Sequence, residues 1–241
     1  MKSKNPPNER RMVLCNFVMR LRTIIPVLAI LVLQVSCGQF KNDRVSEPAP
    51  IRVACIGDSI TFGANIQNRA HDSYPADLQR MLGKRYEVEN FGVSGANLIK
   101  KGDKPYWQES EFLVATTFAP DIVIILLGTN DTKPQNWQYK SEFSADFQGL
   151  IGHFAALSSK PKIWICIPVP VYKSNWGINQ PALDELMPMI RRIAKAEKVP
   201  VIDLFAALSN RPDFFADGIH PNEKGAECIA DAICKNIYSA N

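Results

Sequence analysis

The sequence has no apolar run of membrane-spanning length. The stretch nearest to one, Ile24 to Leu33, is about ten residues and is broken by Pro26, whereas a spanning helix needs roughly 18–20. Histidine is scarce, with three in 241 residues, so imidazole chemistry has few places to reside. The six cysteines show no zinc-binding spacing. Cys228 and Cys234 fall in one predicted helix. Six helical residues rise about 9 Å, beyond the roughly 7 Å that a disulfide tolerates between Cα atoms. A disulfide-stapled scaffold is therefore excluded, as it is by length, which suits one full domain. No internal repeat or low-complexity block is present, which excludes a solenoid.

What is present is ordinary globular composition, 46% hydrophobic and 22% charged. The net charge of +4 would raise a nucleic-acid or anionic-membrane reading if it belonged to the folded part. It does not. Residues 1–37 carry Lys2, Lys4, Arg10, Arg11, Arg20 and Arg22 against Glu9 alone, leaving 22 basic and 23 acidic residues beyond them. A basic stretch followed by a short apolar core is the pattern of a signal peptide. The run ends at Leu33-Gln34-Val35-Ser36-Cys37. A small residue before a Cys resembles the lipobox of bacterial lipoproteins, with Gln34 where an apolar residue is usual. Simple secretory cleavage near Cys37 is the alternative. The expectation is a signal peptide over 1–37, a polar tether over 38–50, one folded domain over 51–241, and export to the cell envelope. The membrane would be met only through a lipid at Cys37, and nucleic acid is not an expected partner.

From Ile51 short apolar runs alternate with helix-like segments. Strands are predicted at Arg52–Ile56, Tyr86–Phe91, Ile122–Leu127, Lys162–Ile167 and Val199–Ile202. Helices are predicted at Tyr74–Leu82, Trp107–Thr116, Ser141–Leu157, Gln180–Lys198 and Asn222–Ile237. The continuous apolar run Ile122 to Leu127 suits a central strand buried on both faces. Such alternation implies an α/β three-layer sandwich around a five-stranded parallel sheet. Ligands in such folds bind beyond the C-terminal strand ends.

Four strand-end segments carry chemical side chains. Gly57-Asp58-Ser59 follows the first strand and places a serine at a strand-to-helix turn. It is not the G-x-S-x-G elbow of α/β-hydrolases. Gly92-Val93-Ser94-Gly95 follows the second, and glycines there let backbone N–H groups approach a ligand. Gly128-Thr129-Asn130-Asp131 follows the third, where an amide can donate to a developing oxyanion or simply cap a turn. Asp217-Gly218-Ile219-His220 precedes the last helix. An Asp three residues before a His can fix the imidazole tautomer. His71 and His153 have no comparable context.

In this order these segments resemble the four blocks of the GDSL-type esterases, or SGNH hydrolases, with invariant Ser, Gly, Asn and His. The resemblance runs from residue 51 to about 238, and Ile60 stands where the name-giving motif has Leu. It implies a flavodoxin-like SGNH hydrolase fold. It also implies Ser59 as nucleophile, His220 as base and acid, and Asp217 orienting His220. The oxyanion hole would comprise Ser59 N–H, Gly95 N–H and the Asn130 amide, with no metal or organic cofactor. The physical logic agrees: a serine needs an adjacent base, and the oxyanion needs donors placed beforehand.

Loops after the catalytic strands hold Trp107, Asn136 with Trp137, and Trp176. Such side chains suit sugar faces and hydroxyls, and equally suit packing the loops onto the domain. No long apolar lid stretch points to a long-chain lipase. By analogy with envelope members of the family, the expected substrate is a small-molecule or glycan ester, foremost an O-acetylated carbohydrate. A lysophospholipase- or thioesterase-type hydrolase and an inactive sugar-binding lipoprotein are the alternatives.

Overall fold

The structure, a computed structural model, describes residues 48–239. The expected targeting segment 1–37 and all of the tether except its last three residues lie outside the described residues. Five strands form one parallel sheet: β1 Ile51–Gly57, β2 Tyr86–Gly92, β3 Ile122–Leu126, β4 Lys162–Ile167 and β5 Val201–Asp203, in the order β2-β1-β3-β4-β5. This is the flavodoxin-like order, with β1 and β3 adjacent at the centre. The helices are α1 Ser59–Phe62, α2 Arg69–Asp72, α3 Tyr74–Leu82, α4 Ser110–Thr117, α5 Pro134–Trp137, α6 Phe143–Ala155, α7 Gln180–Glu197, α8 Leu204–Leu208 and α9 Glu223–Ser239.

Strand side chains alternate between faces, so one apolar strand feeds two cores. Ala54, Ile56, Val123, Ile125, Ile163, Ile165 and Ile167 pack with Phe147, Leu150 and Phe154 of α6 and Leu183, Leu186 and Ile190 of α7. Val53, Cys55, Ile122, Ile124, Leu126, Trp164 and Cys166 pack with Leu78 of α3 and with Ile229 and Ile233 of α9. The three layers expected from the sequence are these two helical layers and the sheet between them. Cys55 and Cys166 are buried apolar fillers, and the four described cysteines are free.

Two predicted boundaries shift for local reasons. β5 begins at Val201 because Val199 N–H bonds Ala194 O at the end of α7, and proline at 200 supplies no N–H. The helix predicted from Trp107 splits into a 3₁₀ turn, Tyr106–Gln108, and α4, because the backbone at Glu109 is extended. Among the described residues no helix is long and apolar enough to cross a membrane.

Candidate active site

The end of β1 turns sharply into α1. A Cβ at Gly57 would lie 2.0 Å from Thr61 Oγ1 and 2.7 Å from Leu126 O, so only glycine lets α1 fold back so closely. Asp58 caps the turn, its Oδ1 accepting from Ile60 N–H at 2.9 Å. Ser59 is thus the first helical residue, whose N–H has no acceptor within the helix. Tyr74 OH bonds Thr61 Oγ1 at 3.0 Å, and Asn90 Nδ2 donates to Thr61 O at 2.8 Å, fixing α1 from two sides.

The last loop brings His220 to this serine across 161 residues of chain. His220 Nε2 lies 2.9 Å from Ser59 Oγ. His220 Nδ1 lies 2.7 Å from Asp217 Oδ2. Asp217 Oδ1 accepts from the backbone N–H groups of Ile219 at 2.8 Å and His220 at 2.7 Å. Asn65 Nδ2 donates to Asp217 Oδ2 at 2.6 Å. Burial alone would push the Asp217 carboxyl up; the bonds from His220 and Ile219 and the nearby imidazole outweigh it and hold it below its ordinary value. The arrangement is a hydroxyl, an imidazole and an ionised carboxylate in line, the order that removes a serine proton.

Three donors face the same space. Val93 O accepts from Ala96 N–H at 3.1 Å, closing a four-residue turn whose third residue, Gly95, has φ +84°. Glycine is the residue that takes this φ without strain. The turn leaves the Gly95 N–H unused. Asn130 sits in the 3₁₀ turn after β3, and one of its two amide hydrogens goes to Ala96 O at 3.0 Å. Its second hydrogen is available, as is the N–H at the start of α1. A cleft of about 300 Å³ joins these groups, lined by Ser59, Gly95, Asn130, Lys133, Trp176 and His220 among others. Every residue the sequence marked at a strand end for chemistry, Ser59, Gly95, Asn130, Asp217 and His220, converges here.

Of the four substrate-contact residues expected from the sequence, only Trp176 lies in the cleft. The residue is 57% exposed and its ring centroid is 5.5 Å from that of His220. Asn175 and Ile178 exchange backbone hydrogen bonds around it, and Trp176 and Gly177 both take left-handed φ, +48° and +83°. For a residue with a Cβ this conformation costs about 1–2 kcal/mol. The other three are corrected. Trp107 packs on Phe112, with Nε1 donating to Leu98 O at 3.0 Å, because α4 holds its ring against the core. Trp137 packs edge-on to Phe143 and faces a separate groove with Pro134, Lys140 and Glu185. Asn136 is fully buried behind Asn130. Its Nδ2 donates to Asn130 O and Asp103 Oδ1, both at 2.9 Å, and its Oδ1 accepts from Asp103 N–H at 2.8 Å.

Sequence reasoning missed Asn65, a loop amide with no distinguishing local pattern. It also assigned no role to Asp131. Asp131 accepts from Leu98 N–H at 2.9 Å and from Ile99 N–H at 2.8 Å, fixing the loop that follows Gly95. Burial drives Asp131 up to about 7 against those two bonds, with the Asp58 charge adding to the rise. Burial likewise drives Asp58 up to about 6, against the Ile60 N–H and the His220 imidazole. His153 bonds Thr116 Oγ1 at 2.8 Å and packs on Phe112, and His71 bonds Asp72, both away from the cleft. Among the described residues no cluster of three or more His, Cys, Asp or Glu side chains is assembled to hold a metal ion.

Residues 55–228 match the sequence profile of the GDSL-like lipase/acylhydrolase family. An acetylxylan esterase of Xylanibacter ruminicola is 45% identical over 215 residues, covering 80% of this chain and 45% of that protein. The chain thus spans about half the length of the curated relative it matches. Among solved structures, a carbohydrate acetylesterase from Sinorhizobium meliloti superposes with a TM-score of 0.67 at 21% identity, covering 79% of this chain and 99% of that one. An aryl esterase of M. smegmatis superposes with 0.61 at 22% identity, covering 79% and 99%.

Proposed function

The chain belongs to the GDSL-like lipase/acylhydrolase family, and from that premise we propose that it is a serine esterase that removes acetyl groups from carbohydrate. The observation that carries this reading is the continuous path from Ser59 Oγ through His220 to Asp217, with bonds of 2.9 and 2.7 Å. Asp217 holds the Nδ1 proton of His220, which leaves Nε2 free to accept the serine proton. Ser59 Oγ then attacks the ester carbonyl. The carbonyl oxygen becomes an oxyanion facing the N–H of Ser59, the N–H of Gly95 and the second amide hydrogen of Asn130, each in place beforehand. His220 returns the proton to the departing sugar hydroxyl, leaving an acyl-Ser59. Water, deprotonated by His220, releases acetate and regenerates the serine.

The likeness to the acetylxylan esterase supports a xylan-type acetyl ester. A cleft of about 300 Å³ is at the small end for ligand pockets and suits a short acyl group. Trp176, exposed beside His220, offers a flat apolar face to the sugar bearing the ester. The reading also takes the chain to be exported, with residues 1–37 as signal peptide and Cys37 as the site of lipid attachment; the basic, then apolar, pattern of that segment supports it. The test is acetate release from O-acetylated xylan and from p-nitrophenyl esters of increasing chain length. Wild type is expected to favour acetyl, and Ser59→Ala to lose turnover while keeping its melting temperature. Full activity in Ser59→Ala would overturn the mechanism, and a preference for long chains would overturn the substrate.

A further inference from the structure

A second cavity, about 560 Å³, lies next to the reaction cleft. α1 gives Ser59 to the cleft and Phe62 to this cavity, and the Gly92–Gly95 segment gives Gly92 to the cavity and Gly95 to the cleft. Ser59 and Phe62 are three helical residues apart, about 4.5 Å of rise. The two sites are therefore within reach of neighbouring units of one glycan.

Most polar groups in the cavity wall are already committed. Gln79 spans the outer edge of β2, donating to Tyr86 O at 3.0 Å and accepting from Val88 N–H at 2.8 Å. Asn90 is used by Thr61 O and by Gly92 N–H. Arg80 binds the Asp77 carboxylate and the His71 carbonyl. Arg69 is different. Its guanidinium carbon lies 3.6 Å from the centroid of the Phe62 ring, stacked on it. Among the described residues the guanidinium has no hydrogen-bond acceptor and no acidic partner. Stacking holds the fork in one plane, and a held fork loses less freedom when it binds a carboxylate in the bidentate manner. Glu89 and Glu111 also line the cavity. They can accept hydrogen bonds from sugar hydroxyls, and their charge opposes a compact dianion such as phosphate more strongly than a singly charged carboxylate.

We propose that this cavity is a second glycan subsite for a carboxylate-bearing sugar, a uronic acid carried by the polymer, with Arg69 forking its carboxylate. The proposal rests on the carbohydrate-esterase reading and sharpens it: the preferred chain is acidic as well as acetylated. The experiment measures binding of deacetylated xylotriose, with and without a glucuronic acid substituent, to the full chain by calorimetry. Wild type is expected to bind the acidic oligosaccharide about tenfold tighter, the equivalent of one good charge-assisted contact. In Arg69→Ala and Arg69→Gln the ratio of the two affinities should fall to about one, and Arg69→Lys should keep part of it. The neutral oligosaccharide is the internal control, and a melting curve checks the fold of each variant. Equal affinities in wild type, no binding of either sugar, or an unchanged ratio in Arg69→Ala overturns the subsite. Acetate release is read separately. A protein that prefers the acidic oligosaccharide but deacetylates no glycan keeps the subsite and loses the esterase reading; one that deacetylates glycans without the preference does the reverse.

Discussion

Asn136 separates two accounts of one residue. As a substrate contact, its loss would raise KM and leave stability alone. As a buried support, its loss would lower stability and turnover together. The structure makes it a support, with no exposed surface and three hydrogen bonds at 2.8–2.9 Å. Asn136→Ala strands the partly buried Asp103 N–H and takes from the buried Asn130 carbonyl the shorter of its two hydrogen bonds, leaving it the Lys133 N–H at 3.3 Å. A buried group left unpaired costs about 1–3 kcal/mol. Taking the N–H near the lower end of that range and about 1 kcal/mol for the bond lost at the carbonyl gives a loss of about 2 kcal/mol. For a domain of this size each kcal/mol lowers Tm by about 2–4 °C, so a drop of about 6 °C is expected by calorimetry. Turnover should fall about tenfold with KM little changed, because Asn136 fixes the backbone of Asn130, whose amide faces the oxyanion. Asn136→Asp should be worse, since it sets a second carboxylate against that of Asp103. A Tm within about 2 °C of wild type, together with a raised KM and an unchanged kcat, would refute the reasoning and return Asn136 to the substrate.

Gly92→Ala places a Cβ 2.2 Å from Phe62 N and 2.6 Å from Thr61 C, both backbone, so α1 must move and carry Ser59 with it; kcat should fall at least about tenfold, on the sensitivity of catalysis to small displacements. Gly152→Ala, with nothing within 4 Å, should instead raise stability by up to about 1 kcal/mol, and equal effects in the two would refute the steric argument. Asp217→Asn must still accept the Ile219 and His220 N–H groups at Oδ1, so its new amide donor faces Nδ1 and forces the His220 proton onto Nε2. A loss of about 10⁴ in kcat is expected by the logic of catalytic triads, and a loss under tenfold would remove Asp217 from the proton path. Asp58 and Asp131 are raised to about 6 and about 7, so the stability linked to their protonated forms is full below about pH 4 and is lost as pH climbs through 6 and 7. Unfolding free energy should decline by about 4 kcal/mol between pH 5 and pH 8, and a flat profile in urea titrations would contradict it.

The sheet was readable because its central strands are apolar on both faces. Ile122 to Leu126 supply two cores at once, and no other element of this length tolerates such a run. The functional residues were readable because each sits within a few positions of a glycine that a strand-to-loop junction requires, as Ser59 follows Gly57. Failure came where orientation depends on distant parts of the chain. Trp107, Trp137 and Trp176 look alike in sequence. One is drawn to Leu98 O, one is packed on Phe143, and one is lifted over His220 by a turn whose left-handed φ gave no signal in its composition. The one-turn helices α1, α2 and α5 were equally unreadable, since four residues carry no period.

Asp217 shows how closely local geometry governs what a sequence can reveal. One oxygen builds the turn through the Ile219 and His220 N–H groups, and the other orients the imidazole. Spacing, capping and chemistry therefore reside in four consecutive residues, and the pair is visible without a fold. The same backbone donors that make the turn outweigh burial and keep this carboxylate ionised. Asp58 and Asp131 also accept backbone N–H groups, yet they are buried without any exposure and their carboxyls rise. Partial exposure is thus what lets Asp217 act as the anion behind His220. The serine that completes the path lies 161 residues away, and only the shared C-terminal edge of a parallel sheet brings it within 2.9 Å.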